Sequence, residues 1–237
     1  MTTRTAAPAP VSHTPVVDAL GRRITSGTLA VGDVLTLAEV EAEFQVSRTV
    51  ARESARVLEA HGLIASRRRV GLVVLPRSEW DNLDVTVIEW MLDGPYRGET
   101  LLELTQLRTA VEPLAARLAA LRATNAQRAE LVRWADELST LGGRGQGAGA
   151  EYLAADISYH SLLLESSGNT LFAQLTEPIA EVLRGRSMRG LTPSMPRVGT
   201  LEAHVRTAQA IFRGDAEAAE HAAREHLVLV AREVEPT

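Results

Sequence analysis

The sequence predicts a mainly α protein in two parts: a small N-terminal domain of short helices closed by a β-hairpin, then an all-α antiparallel bundle of long helices. Three observations predict it. Hydrophobic residues make up 45% of the chain but aromatics only 4%, a balance that suits helix-on-helix packing better than a β-sandwich. The apolar repeat consists of short helical stretches broken by Gly and Asp up to about residue 77, and of long helical stretches after it. The charge divides at the same place: residues 1–77 carry ten Arg against seven Asp and Glu, whereas residues 78–237 carry fifteen against twenty-three, within an overall charge of -5. Only the first part has the balance of a polyanion's partner.

A length of 237 residues allows two cores. The absence of cysteine excludes disulfides, Cys-based zinc sites and thiol nucleophiles, so any metal must be held by His and carboxylates. All 25 basic residues are Arg, which coding bias explains more simply than phosphate recognition. No segment approaches about 18 uninterrupted apolar residues and the first dozen lack a signal-peptide core, so a cytoplasmic protein is expected.

Residues 1–13, rich in Thr, Ala and Pro, are expected to form a disordered arm. From Thr14, the repeat Val16, Val17, Leu20, Ile24 predicts a helix ended by Gly27, and GTLAVGDVLT predicts a turn into a brief extended piece. Leu37, Val40 and Phe44 mark a short helix. After a turn at Gln45 and Val46, Ser47 is a natural N-cap for a second helix that runs through Val50, Ser54, Val57 and Leu58 to His61 and Gly62. Two short helices joined by a tight turn form a helix-turn-helix. LIASRRRVGLVVLP then reads as a β-hairpin with Arg67, Arg68 and Arg69 at its tip, and Pro76 stops it. That hairpin is a wing, and residues 14–77 form a winged helix-turn-helix.

In such a domain the first turns of the second helix enter the major groove. Arg48 and Arg52 can bond guanine in bidentate fashion, Thr49 can reach a base or phosphate, and the amides capped by Ser47 favour a phosphate oxygen. Arg67, Arg68 and Arg69 can approach the backbone or minor groove, with Gly71 allowing close packing behind them. A solvated charged helix start is the rival reading of SRTVARE, and the order helix, turn, helix, Arg-tipped hairpin argues against it.

Residues 78–98 are expected to connect this domain to the bundle of residues 99–232, with long helices at 99–122 and 125–141, a flexible glycine tract GGRGQGAGA, and helices at about 150–167, 170–190, 198–213 and 215–232. Asp156 and His160 lie four apart on one helix face, and His204 and His226 sit on two later helices. One carboxylate and three imidazoles can form a divalent-metal site if the bundle brings them together, which spacing alone does not establish. Taken singly, each His also has a solvated or dipole-matched reading. His13, His61 and His221 belong to no such group and read as structural or exposed.

VSRTVARESARVLEAHGLI followed by RRRVGLVV resembles the DNA domain of the GntR superfamily over nearly all of residues 14–77. One departure stands in TLAEVE, where Ala38 occupies the place of a family Arg, so a phosphate or base contact common in the family is missing here. LTQLRTAVEPLAARLAA, DISYHSLLLESSGNTLF and EAHVRTAQAIFRGDAEAAEHAAREHL resemble the FCD ligand-binding domain of the FadR-like branch. That resemblance implies a divalent metal (zinc first, nickel or manganese as alternatives) on Asp156, His160, His204 and His226. It also implies that Arg108 receives a carboxylate effector; the rival reading is an intrahelical pair with Glu112. Asn169 is a family feature that reads more as a cap than as a ligand, and Arg184, with Arg186 and Arg189, is a further candidate pocket contact. SEWDNLDVTVIEWML resembles a segment of sugar-acid (galactonate-type) regulators and implies an aldonate-like effector.

The resemblance implies a homodimeric repressor on a pseudo-palindromic double-stranded DNA operator, with no membrane role. Two other functions compete. A metal-dependent hydrolase or lyase could use the same Asp and His cluster, but the chain has no HExxH and no GxSxG, and its GQGAGA follows a helix where a nucleotide-binding loop would follow a strand. A constitutive DNA-binding protein with a purely structural bundle would leave four candidate ligands unused.

Overall fold

The computed structural model describes residues 13–197 and 199–234, and the chain divides into two compact units, Met1–Tyr96 and Arg97–Thr237. The expected arm lies outside the described residues except for His13, which precedes the first helix.

In the first unit, α1 (Thr14–Thr25) buries Val16, Val17, Leu20 and Ile24 along one stripe. β1 (Val34–Leu35) leads to α2 (Leu37–Phe44), which starts in a reciprocal cap: Thr36 N–H donates to Glu39 Oε2 at 2.7 Å, and Glu39 N–H donates to Thr36 Oγ1 at 3.2 Å. Gln45 in the left-handed region (φ 51°) ends α2, and Ser47 caps α3 (Arg48–Ala60) by accepting from Val50 N–H at 3.3 Å. α3 buries Ala51, Ser54, Ala55 and Leu58, which leaves Arg48, Thr49 and Arg52 on its exposed side.

β2 (Ile64–Arg67) and β3 (Gly71–Val74) form the wing hairpin, and the brief extended piece at β1 completes an antiparallel sheet of order β1-β3-β2. Gly71 is needed for that third strand. Its φ is 128°, and a Cβ there would stand 2.6 Å from the Leu35 carbonyl oxygen, closing the gap in which β1 pairs with β3.

After a 3-10 turn at Arg77–Glu79, α4 (Val85–Asp93) begins at Asp84, whose carboxylate accepts from the amides of Thr86 and Val87. Trp80 Nε1 donates to Leu75 O at 3.0 Å and Asn82 Nδ2 to Arg77 O at 3.2 Å. Trp90, 1% exposed, donates to Asp18 Oδ1 at 2.8 Å while its ring fills the space over Gly21, where a Cβ would lie 2.4 Å from the ring. Arg22 adds ion pairs to Asp18 and Glu89. Within the sugar-acid-regulator segment, Trp90 thus holds α4 onto α1, while Trp80, Asn82 and Asp84 fix the turn before α4 and its cap.

The regular elements among the described residues of the second unit are all helices: α5 (Arg97–Arg122), α6 (Asn125–Gly143), α7 (Ala150–Ser166), α8 (Thr170–Ala173), α9 (Thr176–Met188), α10 (Thr200–Arg213) and α11 (Ala216–Val234). Buried Ala116, Ala119, Ala120, Ala208, Ala219 and Ala223 let helices approach closely, and Leu131, Leu138, Tyr159, Leu163 and Ile211 fill the remaining space. The single helix expected at 170–190 is two. Pro178, in the first turn of α9, has no amide to bond Gln174 and its ring would crowd that carbonyl, so the helix restarts at Thr176.

The glycine tract is not simply a connector. Gly147 N–H donates to Ser194 O at 2.8 Å, and a Cβ on Gly147 would lie 2.6 Å from Pro193 O. A Cβ on Gly142 would lie 2.8 Å from the Leu201 side chain. The glycines form the surface on which the strap of residues 191–197, between α9 and α10, is seated.

Candidate functional site

The first unit presents cations without partners. Arg48, Thr49 and Arg52 on α3 are exposed, as are Arg67, Arg68 and Arg69 at the wing, where Val70 N–H donates to Arg67 O at 3.1 Å and Arg69 takes a left-handed φ of 65° to close the turn. Arg22, Arg23 and Arg56 of the same unit are engaged with carboxylates, whereas none of these five arginines forms an ion pair among the described residues. Ser47 is at the cap position and Gly71 behind the wing tip, where it serves packing. Ala38 is exposed on α2 and offers no hydrogen-bonding group there.

In the second unit, α7, α10 and α11 bring Asp156, His160, His204 and His226 together. His160 and His204 are 2% exposed and His226 5%. Asp156 Oδ1 stands 3.3 Å from His160 Nε2 and 3.6 Å from His204 Nε2, and those two nitrogens are 3.4 Å apart. The His226 ring is stacked with that of His160 and 4.0 Å from that of His204, centroid to centroid. One ring nitrogen from each of the three histidines lies within 4.8 Å of the others, a group able to hold a metal ion.

The residues fit such an ion. His204 donates Nδ1–H to Thr200 O at 3.0 Å, which turns the lone pair of Nε2 toward Asp156. Burial lowers the pKa of His204, and that of His226 more strongly, so both stay neutral ligands. Burial alone would raise the Asp156 pKa, but the neighbouring imidazoles of His160 and His204 outweigh that and keep it an anion. His226 Nδ1 is buried with no hydrogen-bond partner, a cost that a ligand would relieve.

Arg108 and Glu112, four apart on α5 and each 1% exposed, meet this cluster from the side. The intrahelical pair forms, with Arg108 Nε donating to Glu112 Oε1 at 2.6 Å, and Arg108 also extends its terminal nitrogen to within 3.1 Å of His160 Nε2. The two readings of Arg108 are therefore compatible, because the paired guanidinium still faces the cavity. Burial opposes the Glu112 charge, but Arg108 and then His160 outweigh it and hold its pKa at about 2. Spacing had offered Glu112 only as a rival to an anion-binding Arg108.

These groups line a cavity of about 40 Å³ with Tyr152, Arg186 and, from the strap, Thr192, Pro193 and Pro196. Two of the candidate contacts are engaged elsewhere. Asn169 caps α8 by accepting from Leu171 N–H at 3.0 Å and is not in the lining, and Arg184 pairs with Glu181 and Glu177, 38% exposed. Arg186 lines the cavity in its place; two residues turn a helix by about 200°, which puts these arginines on opposite faces of α9. His13 precedes α1, half-buried His61 stands 3.5 Å from Asp84, and exposed His221 pairs with Glu225.

Comparison with known proteins gives this arrangement its family. Residues 13–74 match the family described as bacterial regulatory proteins, gntR family, and residues 103–229 match the FCD domain. The Galactonate operon transcriptional repressor of Escherichia coli (strain K12) is 35% identical over 212 residues, 88% of this chain and 90% of that one. The chain belongs to the GntR family. As such it is a DNA-binding transcriptional regulator, and its family and relatives are regulators, not enzymes. Another relative, the HTH-type transcriptional regulator LutR of Bacillus subtilis (strain 168), is 30% identical over 214 residues, 87% of this chain and 94% of that one. Among solved structures, a Streptococcus agalactiae GntR protein superimposes with a TM-score of 0.50 at 23% identity, covering 93% and 99% of the two chains. Lar, which controls the expression of the Listeria monocytogenes agr system, superimposes at 0.54 with 14% identity, covering 98% of each. These two likenesses speak for the fold alone. No described helix is long and apolar enough to cross a membrane.

Proposed function

We propose that this GntR-family regulator acts in the cytoplasm as a homodimeric repressor that a small carboxylate releases from a pseudo-palindromic operator. Its DNA-binding domain is residues 14–77, joined through residues 78–98 to an effector domain of residues 99–232. The observation that carries the reading is the convergence of Asp156, His160, His204, His226 and Arg108 on one cavity.

Asp156 and the three histidines would hold a divalent ion, zinc by preference, which when bound supplies a positive centre for an anionic ligand. Arg108 offers a planar pair of donors to a carboxylate, and Arg186 adds a second buried cation to the lining. A sugar acid is the preferred effector class, supported by the name of the galactonate operon repressor. A cavity of about 40 Å³ has room for about three water molecules, so a six-carbon acid requires the strap of residues 191–197 to give way. The effector alters DNA affinity only by as much as it prefers one conformation over the other.

Selection from a random duplex library with the full chain is expected to enrich a two-fold sequence. Arg52→Ala should then weaken binding to it by about 1–3 kcal/mol, measured by fluorescence anisotropy. Undiminished affinity removes Arg52 from base readout, and failure to enrich any sequence defeats the operator proposal.

A further inference from the structure

Thr200 opens α10 and lines the cavity beside His204. Both of its backbone groups are engaged: its N–H donates to Arg197 O at 3.0 Å, and its carbonyl stands 3.0 Å from His204 Nδ1. Its side chain is not. The residue is 7% exposed, and Oγ1 is buried with no hydrogen-bond partner among the described residues. Threonines deeper in their helices avoid this by donating to the carbonyl four residues back, as Thr105 does to Leu101 at 2.7 Å and Thr207 to Ala203 at 2.8 Å. At the first position of α10 the residue four back is Pro196, which lies outside the helix in the strap. A buried hydroxyl left unbonded in the lining of a cavity costs free energy that a ligand can recover.

We infer that Thr200 is a specificity-determining residue of the cavity: its Oγ1 bonds a hydroxyl of the ligand, so that a hydroxylated acid is selected over the same acid without that hydroxyl. The inference rests on the carboxylate reading above and narrows the ligand class within it. Arg108 meets the cluster at His160, and Thr200 meets it at His204, so the two approach a ligand at different points. Arg108 only donates, which suits a carboxylate. A threonine hydroxyl both donates and accepts, as a ligand hydroxyl does. Leu183 and Val230, also in the lining, have no polar group to offer it. An acid lacking the hydroxyl displaces water from the cavity and leaves Oγ1 unbonded, and that penalty is the source of the discrimination.

Isothermal titration calorimetry tests this on the zinc-supplemented full chain, with galactonate and the set of galactonates that each lack one hydroxyl. At least one deoxy acid should bind the wild type about 5–150-fold more weakly than galactonate. Thr200→Val should lose most of that difference, and Thr200→Ser should keep it. Equal binding of all the acids, or differences that all survive in Thr200→Val, overturns the inference and leaves the carboxylate reading standing. Binding of none of them defeats the sugar-acid reading and the inference together. The melting temperature of the ligand-free protein decides independently of any acid. Exchanging an unbonded buried hydroxyl for a methyl of the same shape should hold or raise it. A fall of several degrees in Thr200→Val means that the hydroxyl is bonded within the protein, and overturns the inference.

Discussion

Glu112→Ala is expected to destabilise the protein by about 3–5 kcal/mol, among the largest effects of any single substitution in the C-terminal unit. Arg108 and Glu112 are each 1% exposed, so the variant leaves a guanidinium in the interior with its anion gone. The charge pair itself need contribute little, because desolvating two ions consumes most of their attraction. The damage comes from stranding one of them. Arg108→Met with Glu112→Ala should therefore recover much of the loss, and a double-mutant cycle by urea unfolding measures the difference. A Glu112→Ala cost below about 1 kcal/mol, or a double variant no better than the single, would mean that the interior already admits water to Arg108.

The second large effect is expected on metal removal. An ion at about 1,000 times its dissociation constant stabilises the state that binds it by about 4 kcal/mol, or roughly 10 °C in melting temperature for a domain of this size. Chelation with EDTA should lower the melting transition by that order, and zinc should restore it. His204→Ala with His226→Ala should melt identically with and without EDTA. If wild-type protein shows no EDTA effect and carries no metal after zinc supplementation, the cluster is a polar packing motif and nothing more.

How much of this was legible in the sequence depends on whether a feature is local. The cap at Ser47 and the Arg-tipped hairpin act within a few residues, so the winged helix-turn-helix could be read directly. β1 has two residues, too few for a strand period, and its strand character comes from pairing with β3 across Gly71. Asp156 and His160 share a helix face, but His204 and His226 join them only through packing of α7, α10 and α11; spacing left that open, and family resemblance supplied it. Arg184 was misplaced because arginines two apart on α9 differ in face, which composition does not reveal. The glycine tract read as a flexible connector because nothing local shows that Gly142 and Gly147 make room for Leu201 and Pro193. Glu112 was visible as an i,i+4 partner of Arg108, while its second oxygen, committed to His160, belongs to the tertiary structure.

The central claim is that DNA reading by the first unit answers to the buried cavity of the second. Its most direct test is anisotropy of a selected duplex bound by the zinc-supplemented full chain, titrated with galactonate and then with a panel of sugar acids and central carboxylates. The account predicts that at least one acid weakens DNA binding by about 5–150-fold, and that His204→Ala with His226→Ala, while still binding the duplex, loses the response. DNA affinity unchanged by every acid, or a response that survives in the double variant, would contradict it.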